Sequence, residues 1–202
     1  MVDIHLGFYS YSSDLAAPRD NFLYLTDLFT GPFSHVVIYL QRDSASLTWA
    51  INLSKKTHMV VYGKMTVRAT GYGFMRLKIT KAQYVKLTET VKTIIAHPTH
   101  FDRWQAYGVR SFPRCTVEQE GWFCSQLVGF LLVEIGVLDP RINPSKLSVT
   151  NLYLLCRRAG GIGVDCPFLG NSPNTSADFI YLNGMKRTEF PLIDERYTYQ
   201  FF

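Results

Sequence analysis

Along the chain, apolar and polar positions first alternate in steps of two and later repeat at 3.6. Residues 2–9 read as a short strand. A polar stretch follows, then a short helix or turn over 22–29, before Thr30-Gly31-Pro32 breaks the chain. Residues 34–40 and 46–53, rich in Val, Ile, Tyr, Trp and Thr, predict two more strands. Residues 59–62, then 65–69 or 73–79, extend the same antiparallel sheet. Thr80-Lys-Ala-Gln83 is a capping box, and Tyr84, Leu87, Val91, Ile94 and Ile95 follow it at helical spacing until His97-Pro98. Leu127, Val128, Leu131 and Ile135 repeat in the same way from Phe123 to the stop at Gly136. A further helix starts at the cap Ser148, runs through Leu152 and Leu155, and closes on Arg157, Arg158 and Gly160. The remainder is irregular, with strand-like stretches at 179–182 and 196–202. Strands followed by helices give an α+β fold, and 202 residues suit one domain.

Composition narrows the class. With 47% hydrophobic, 14% aromatic and 18% charged residues, the chain can bury a core and is not disordered. Its longest apolar run, 127–138, contains Glu134 and is too short to span a bilayer, so no transmembrane segment is expected. Asp3 and His5 stand where a secretion signal needs basic and then apolar residues. The cysteines, Cys115, Cys124, Cys156 and Cys166, form no CxxC pair and no disulfide-scaffold or zinc spacing. Free thiols in a cytoplasmic or other intracellular setting are therefore expected. No HExxH or close His/Cys cluster calls for a metal, and Gly160–Gly163 follows a helix instead of joining a strand to one, so no cofactor is expected.

Charge adds one feature. Residues 53–110 hold eleven Lys or Arg against Glu89 and Asp102, a net of +9 that leaves −4 for the rest. That segment offers a surface to an anionic partner, although a solvated face of a basic protein has the same composition. No basic run exceeds two residues and no nucleic-acid motif surrounds them, so sequence-specific nucleic-acid binding is not expected.

The chemistry candidate is Cys124, at the start of the best-defined helix. Unpaired amides and the helix dipole there favour the thiolate, and the same amides can hold an oxyanion. Buried cysteines are commonly inert, so position alone does not decide the matter. A thiolate needs a base. His97 and His100 flank a proline-broken loop, His58 sits in a turn and His5 in the first strand, whereas His35 opens an apolar strand where a polar ring needs a reason. A two-residue turn at Asp43-Ser44 would set Arg42 across from Ala45 and His35 across from Asn52. His35, Val37 and Tyr39 would then share a face with Thr48, Ala50 and Asn52. The Asn52 carboxamide would orient the imidazole, the third role in a Cys-His-Asn arrangement. A purely structural His–Asn pair would leave the same trace in the sequence.

Ser34-His35-Val-Val-Ile-Tyr, a second strand ending in a polar residue, and an aromatic followed by Cys124-Ser-Gln-Leu-Val resemble the circularly permuted branch of the NlpC/P60 papain-like superfamily, which includes YiiX-like and poxvirus-type relatives. Gly136-Val137 and Pro144-Ser-Lys-Leu147 add to the resemblance, which covers about residues 1–158 and leaves 159–202 as an extension. It implies an antiparallel sheet or half-barrel packed against the cysteine helix. It also implies a cysteine hydrolase or acyltransferase, with Cys124 as nucleophile, His35 as base and Asn52 as orienter, acting on a peptide or acylated substrate. Two departures stand out. Val37 replaces the family's glycine after the histidine, and Asn52 stands where relatives commonly carry Glu, which leaves a catalytically silent binding or structural scaffold as the alternative.

Overall fold

Four strands of eight residues supply the frame, and a fifth of the same length is laid between them. The computed structural model describes residues 1–10, 33–42, 47–54, 59–66, 71–96, 100–101 and 121–165. The strands are β1 (Val2–Tyr9), β2 (His35–Arg42), β3 (Leu47–Ser54), β4 (Met59–Thr66) and β5 (Tyr72–Ile79), with the short β6 (His100–Phe101), β7 (Gly121–Trp122) and β8 (Ile162–Val164). The helices are α1 (Lys81–Ala96), α2 (Cys124–Glu134) and α3 (Val149–Arg158), with a 3-10 turn at Pro144–Lys146. The sheet is antiparallel throughout, in the order β4-β3-β2-β1-β5-β8, and β6 pairs with β7 apart from it. The architecture is α+β, as the segregation of periods predicts.

β1 pairs on one side with β2, Tyr9 across from His35, and on the other with β5, Val2 across from Ile79. Ladder register then dictates the faces. Ile4, Leu6 and Phe8 point to the same side as Val36, Ile38, Leu40, Ile51 and Leu53. All three helices cover that side, contributing Leu87 and Val91, Leu127 to Leu132, and Leu152 and Cys156. Leu6, Ile38, Leu131 and Leu152 are wholly buried; each such side chain contributes about 1.5–3 kcal/mol relative to an exposed position. The opposite side carries a smaller cluster of Val37, Tyr39, Ala50 and Phe74.

Several expectations need correction. The strand expected over 59–62 is β4 and continues through Gly63 to Thr66, and 73–79 lies in a separate strand, β5, so the two candidates for the next strand resolve in favour of the later one. Arg42 does not face Ala45 as the simple hairpin predicts. Arg42 pairs with Thr48, and an extra residue in β2 between Tyr39 and Arg42 makes a bulge. β8 was not anticipated, because three residues after a helix carry too little pattern. The helix or turn over 22–29, the turn residues 43–46, His58, His97 and the strand-like stretches at 179–182 and 196–202 lie outside the described residues.

The helix ends obey local chemistry. The Thr80–Gln83 capping box forms in both directions: Gln83 N donates to Thr80 Oγ1 at 3.1 Å, and Thr80 N to Gln83 Oε1 at 2.8 Å. Ser148 Oγ accepts from Asn151 N at 3.1 Å and caps α3. Gly136 ends α2 with φ +71°, a conformation that costs glycine nothing. Among the described residues no helix is long and apolar enough to cross a membrane.

Candidate functional site

The site begins with an imidazole and an amide. His35 Nε2 and Asn52 Oδ1 are 2.9 Å apart, both side chains half-buried. The register that joins them differs from the simple hairpin. Ile38 pairs with Ile51, so extending the ladder sets Val37 across from Asn52, and His35 reaches it diagonally. The difference is two residues, and a two-residue shift leaves every side chain on its original face. The expected pair therefore forms although the expected register does not.

The bond also sets the tautomer. An amide oxygen only accepts, so with Oδ1 turned to the ring it is Nε2–H that donates. On its other flank His35 has Tyr9, whose ring lies 5.1 Å from that of Tyr72. No sequence pattern announced this neighbour, because nothing local says that β1 sits in the middle of the sheet.

Cys124 is the first residue of α2 and is 8% exposed. Phe123 occupies the N-cap in an extended conformation and offers no side-chain acceptor, so the first-turn amides lack the usual cap. Half of a capping box remains: Phe123 N donates to Gln126 Oε1 at 3.4 Å. Ser125 Oγ donates to the Leu147 carbonyl at 2.6 Å and ties the turn to the segment after the 3-10 helix.

Placement of α2 follows from its other end. Gln83 Nε2 donates to the Ile135 carbonyl at 2.8 Å, and Lys86 Nζ donates to that of Glu134. α1 starts where β5 ends, beside the first residue of β1. The C-terminus of α2 is therefore held at that end of the sheet. Its sheet contacts concentrate on β2 and β3, and its 11 residues run about 16 Å back towards the end where β2 begins. Cys124 and His35 are thus each the first residue of their element, directed to the same end of the sheet. The pleat separates them: Cys124 belongs to the core on the helix side, whereas His35 and Asn52 share the side of Val37, Tyr39 and Ala50. The structure brings His35 and Asn52 together, and Cys124 lies across the pleat from both.

One polar atom at that end stands out. Ser34 is 5% exposed, and its Oγ has no hydrogen-bond partner among the described residues. Its amide donates to the Tyr9 carbonyl at 2.9 Å. Cys156, like Cys124, is in no disulfide, but it is sealed inside the core, where burial pushes its pKa up and keeps it protonated. His5 sits mid-sheet opposite Arg76. Desolvation and the guanidinium lower its pKa, and Asp3 opposes them. Among the described residues no group of three or more His, Cys, Asp or Glu is placed to hold a metal. The chain matches no protein-family model, and no curated protein and no solved structure matches it.

Proposed function

We propose that the protein is a cysteine hydrolase or acyltransferase of the papain-like kind, with Cys124 as nucleophile, His35 as general base and Asn52 as its orienter. The observation that carries the reading is the His35–Asn52 hydrogen bond, which orients the imidazole. It is supported by an uncapped helix start at Cys124, directed to the same end of the sheet. The thiolate attacks the carbonyl carbon of an amide, ester or thioester. The imidazolium then returns the proton to the leaving group, and water or another acceptor releases the acyl group. Peptides and acylated molecules are the substrate classes, and a papain-like half-barrel is the corresponding fold.

Iodoacetamide labelling followed by peptide mass analysis tests the assignment. Cys124 is expected to alkylate at least about tenfold faster than the buried Cys156, because only a thiolate reacts. His35→Ala is expected to slow Cys124 to the rate of an ordinary thiol. Equal labelling of Cys124 in wild type and His35→Ala would point to a scaffold without catalysis, the reading favoured by an uncharged Asn52.

A further inference from the structure

We propose that the Ser34 hydroxyl donates a hydrogen bond to the substrate's carbonyl oxygen, together with the first-turn amides of α2; this rests on Cys124 being the nucleophile. Three observations converge. Ser34 Oγ is buried and has no partner among the described residues, and a hydroxyl left in that state is unfavourable unless something fills the position. Ser34 immediately precedes His35, so the alternation that turns His35 to one side of the sheet directs Ser34 to the helix side, where Cys124 lies. The α2 start facing that end has phenylalanine as its N-cap, which leaves its amides without a side-chain acceptor. A helix start and an isolated buried hydroxyl are the donors that a developing oxyanion requires.

The step balances without any added reagent. The Cys124 sulfur forms a bond to the carbonyl carbon, and the carbonyl π pair moves onto oxygen, where Ser34 O–H and the amides receive it. When that pair reforms the double bond, the bond to the leaving group breaks. An amine leaving group takes its proton from the His35 imidazolium, and a phenolate leaves without one.

The full-length chain with p-nitrophenyl acetate and, separately, iodoacetamide provides the test. Alkylation has no tetrahedral oxyanion, whereas acylation does. Ser34→Ala is expected to lower the p-nitrophenolate burst about a hundredfold, the usual effect of losing one oxyanion donor. The same variant should alkylate at Cys124 within twofold of wild type. Ser34→Thr, which keeps the hydroxyl, should retain most of the burst; if Ser34→Ala does not fold, Ser34→Gly replaces it in the comparison. An unchanged burst in the hydroxyl-less variant overturns the proposal, as does a parallel fall in alkylation and acylation, which would mean a structural role. Failure of the underlying assignment gives a different signature: Cys124→Ala would then release p-nitrophenolate as fast as wild type.

Discussion

An amide does for His35 what a carboxylate would do, except for the charge. Asn52 Oδ1 fixes the ring and the tautomer but adds nothing to stabilise imidazolium. Asn52→Asp retains an acceptor and adds the charge, so the His35 titration, followed by its Cε1 proton resonance, should move to higher pH than in wild type. Asn52→Ala frees the ring. Losing that orientation is expected to slow ester acylation at Cys124 by about tenfold or more, with little change in thermal stability. An unaltered acylation rate would make the pair structural. A second residue tests the core. Gly161 leaves no room for a side chain, because a Cβ there would meet the Cys156 carbonyl at 2.7 Å as well as Met75 Sδ. Backbone cannot yield as a flexible side chain can, so Gly161→Ala should cost about 1–3 kcal/mol in urea unfolding.

At the scale of elements, the placement of α2 depends on α1. Gln83 serves two ends at once, closing the capping box with Thr80 and donating to the last turn of α2. Gln83→Ala therefore removes a cap and leaves the Ile135 carbonyl without that donor, for an expected loss of about 1–2 kcal/mol by urea unfolding. Thr80→Ala removes only the α1 half and should cost less; an equal or larger loss would show that the bond to Ile135 contributes nothing. The same elements show what was readable beforehand. The capping box, the 3.6 repeats and the Ser148 cap are local, and each helix falls within two residues of its expected bounds. The hairpin register was not legible: Arg42 pairs with Thr48 and not Ala45, an offset of three, and a bulge between Tyr39 and Arg42, which has no local signature, takes back one and leaves the rest of the ladder two residues from the simple hairpin. His35 and Asn52 were found nevertheless, since alternation fixes the face independently of register. The sequence shows Ser34 only as the residue before His35, as burial without a partner is a property of three-dimensional packing. The central place of β1 is equally non-local: its two neighbours begin 26 and 63 residues after Tyr9.

For the molecule as a whole, that central strand carries a titratable group into the sheet and makes stability depend on pH. His5 has Arg76 across the ladder on one side, Tyr39 on the other and Asp3 two residues away on its own strand. Burial and the guanidinium outweigh the carboxylate, so its folded pKa lies below the ordinary value of 6.5. A histidine of this kind is neutral in both states at high pH and contributes no difference there. As pH falls through 6.5 the unfolded chain takes up the proton first, so stability declines until the lowered folded pKa is passed and then levels off. Urea midpoints measured at pH 7.5, 6.5 and 5.5 should fall with a slope of less than one proton, and His5→Gln, which does not titrate, should flatten that part of the curve. Identical slopes in both proteins would mean that His5 is protonated as readily in the sheet as in the unfolded chain. Because Tyr9 at the far end of β1 pairs with His35, loosening this strand also loosens the candidate base. The proposed esterase activity should therefore begin to fail in urea together with the sheet, and not before it.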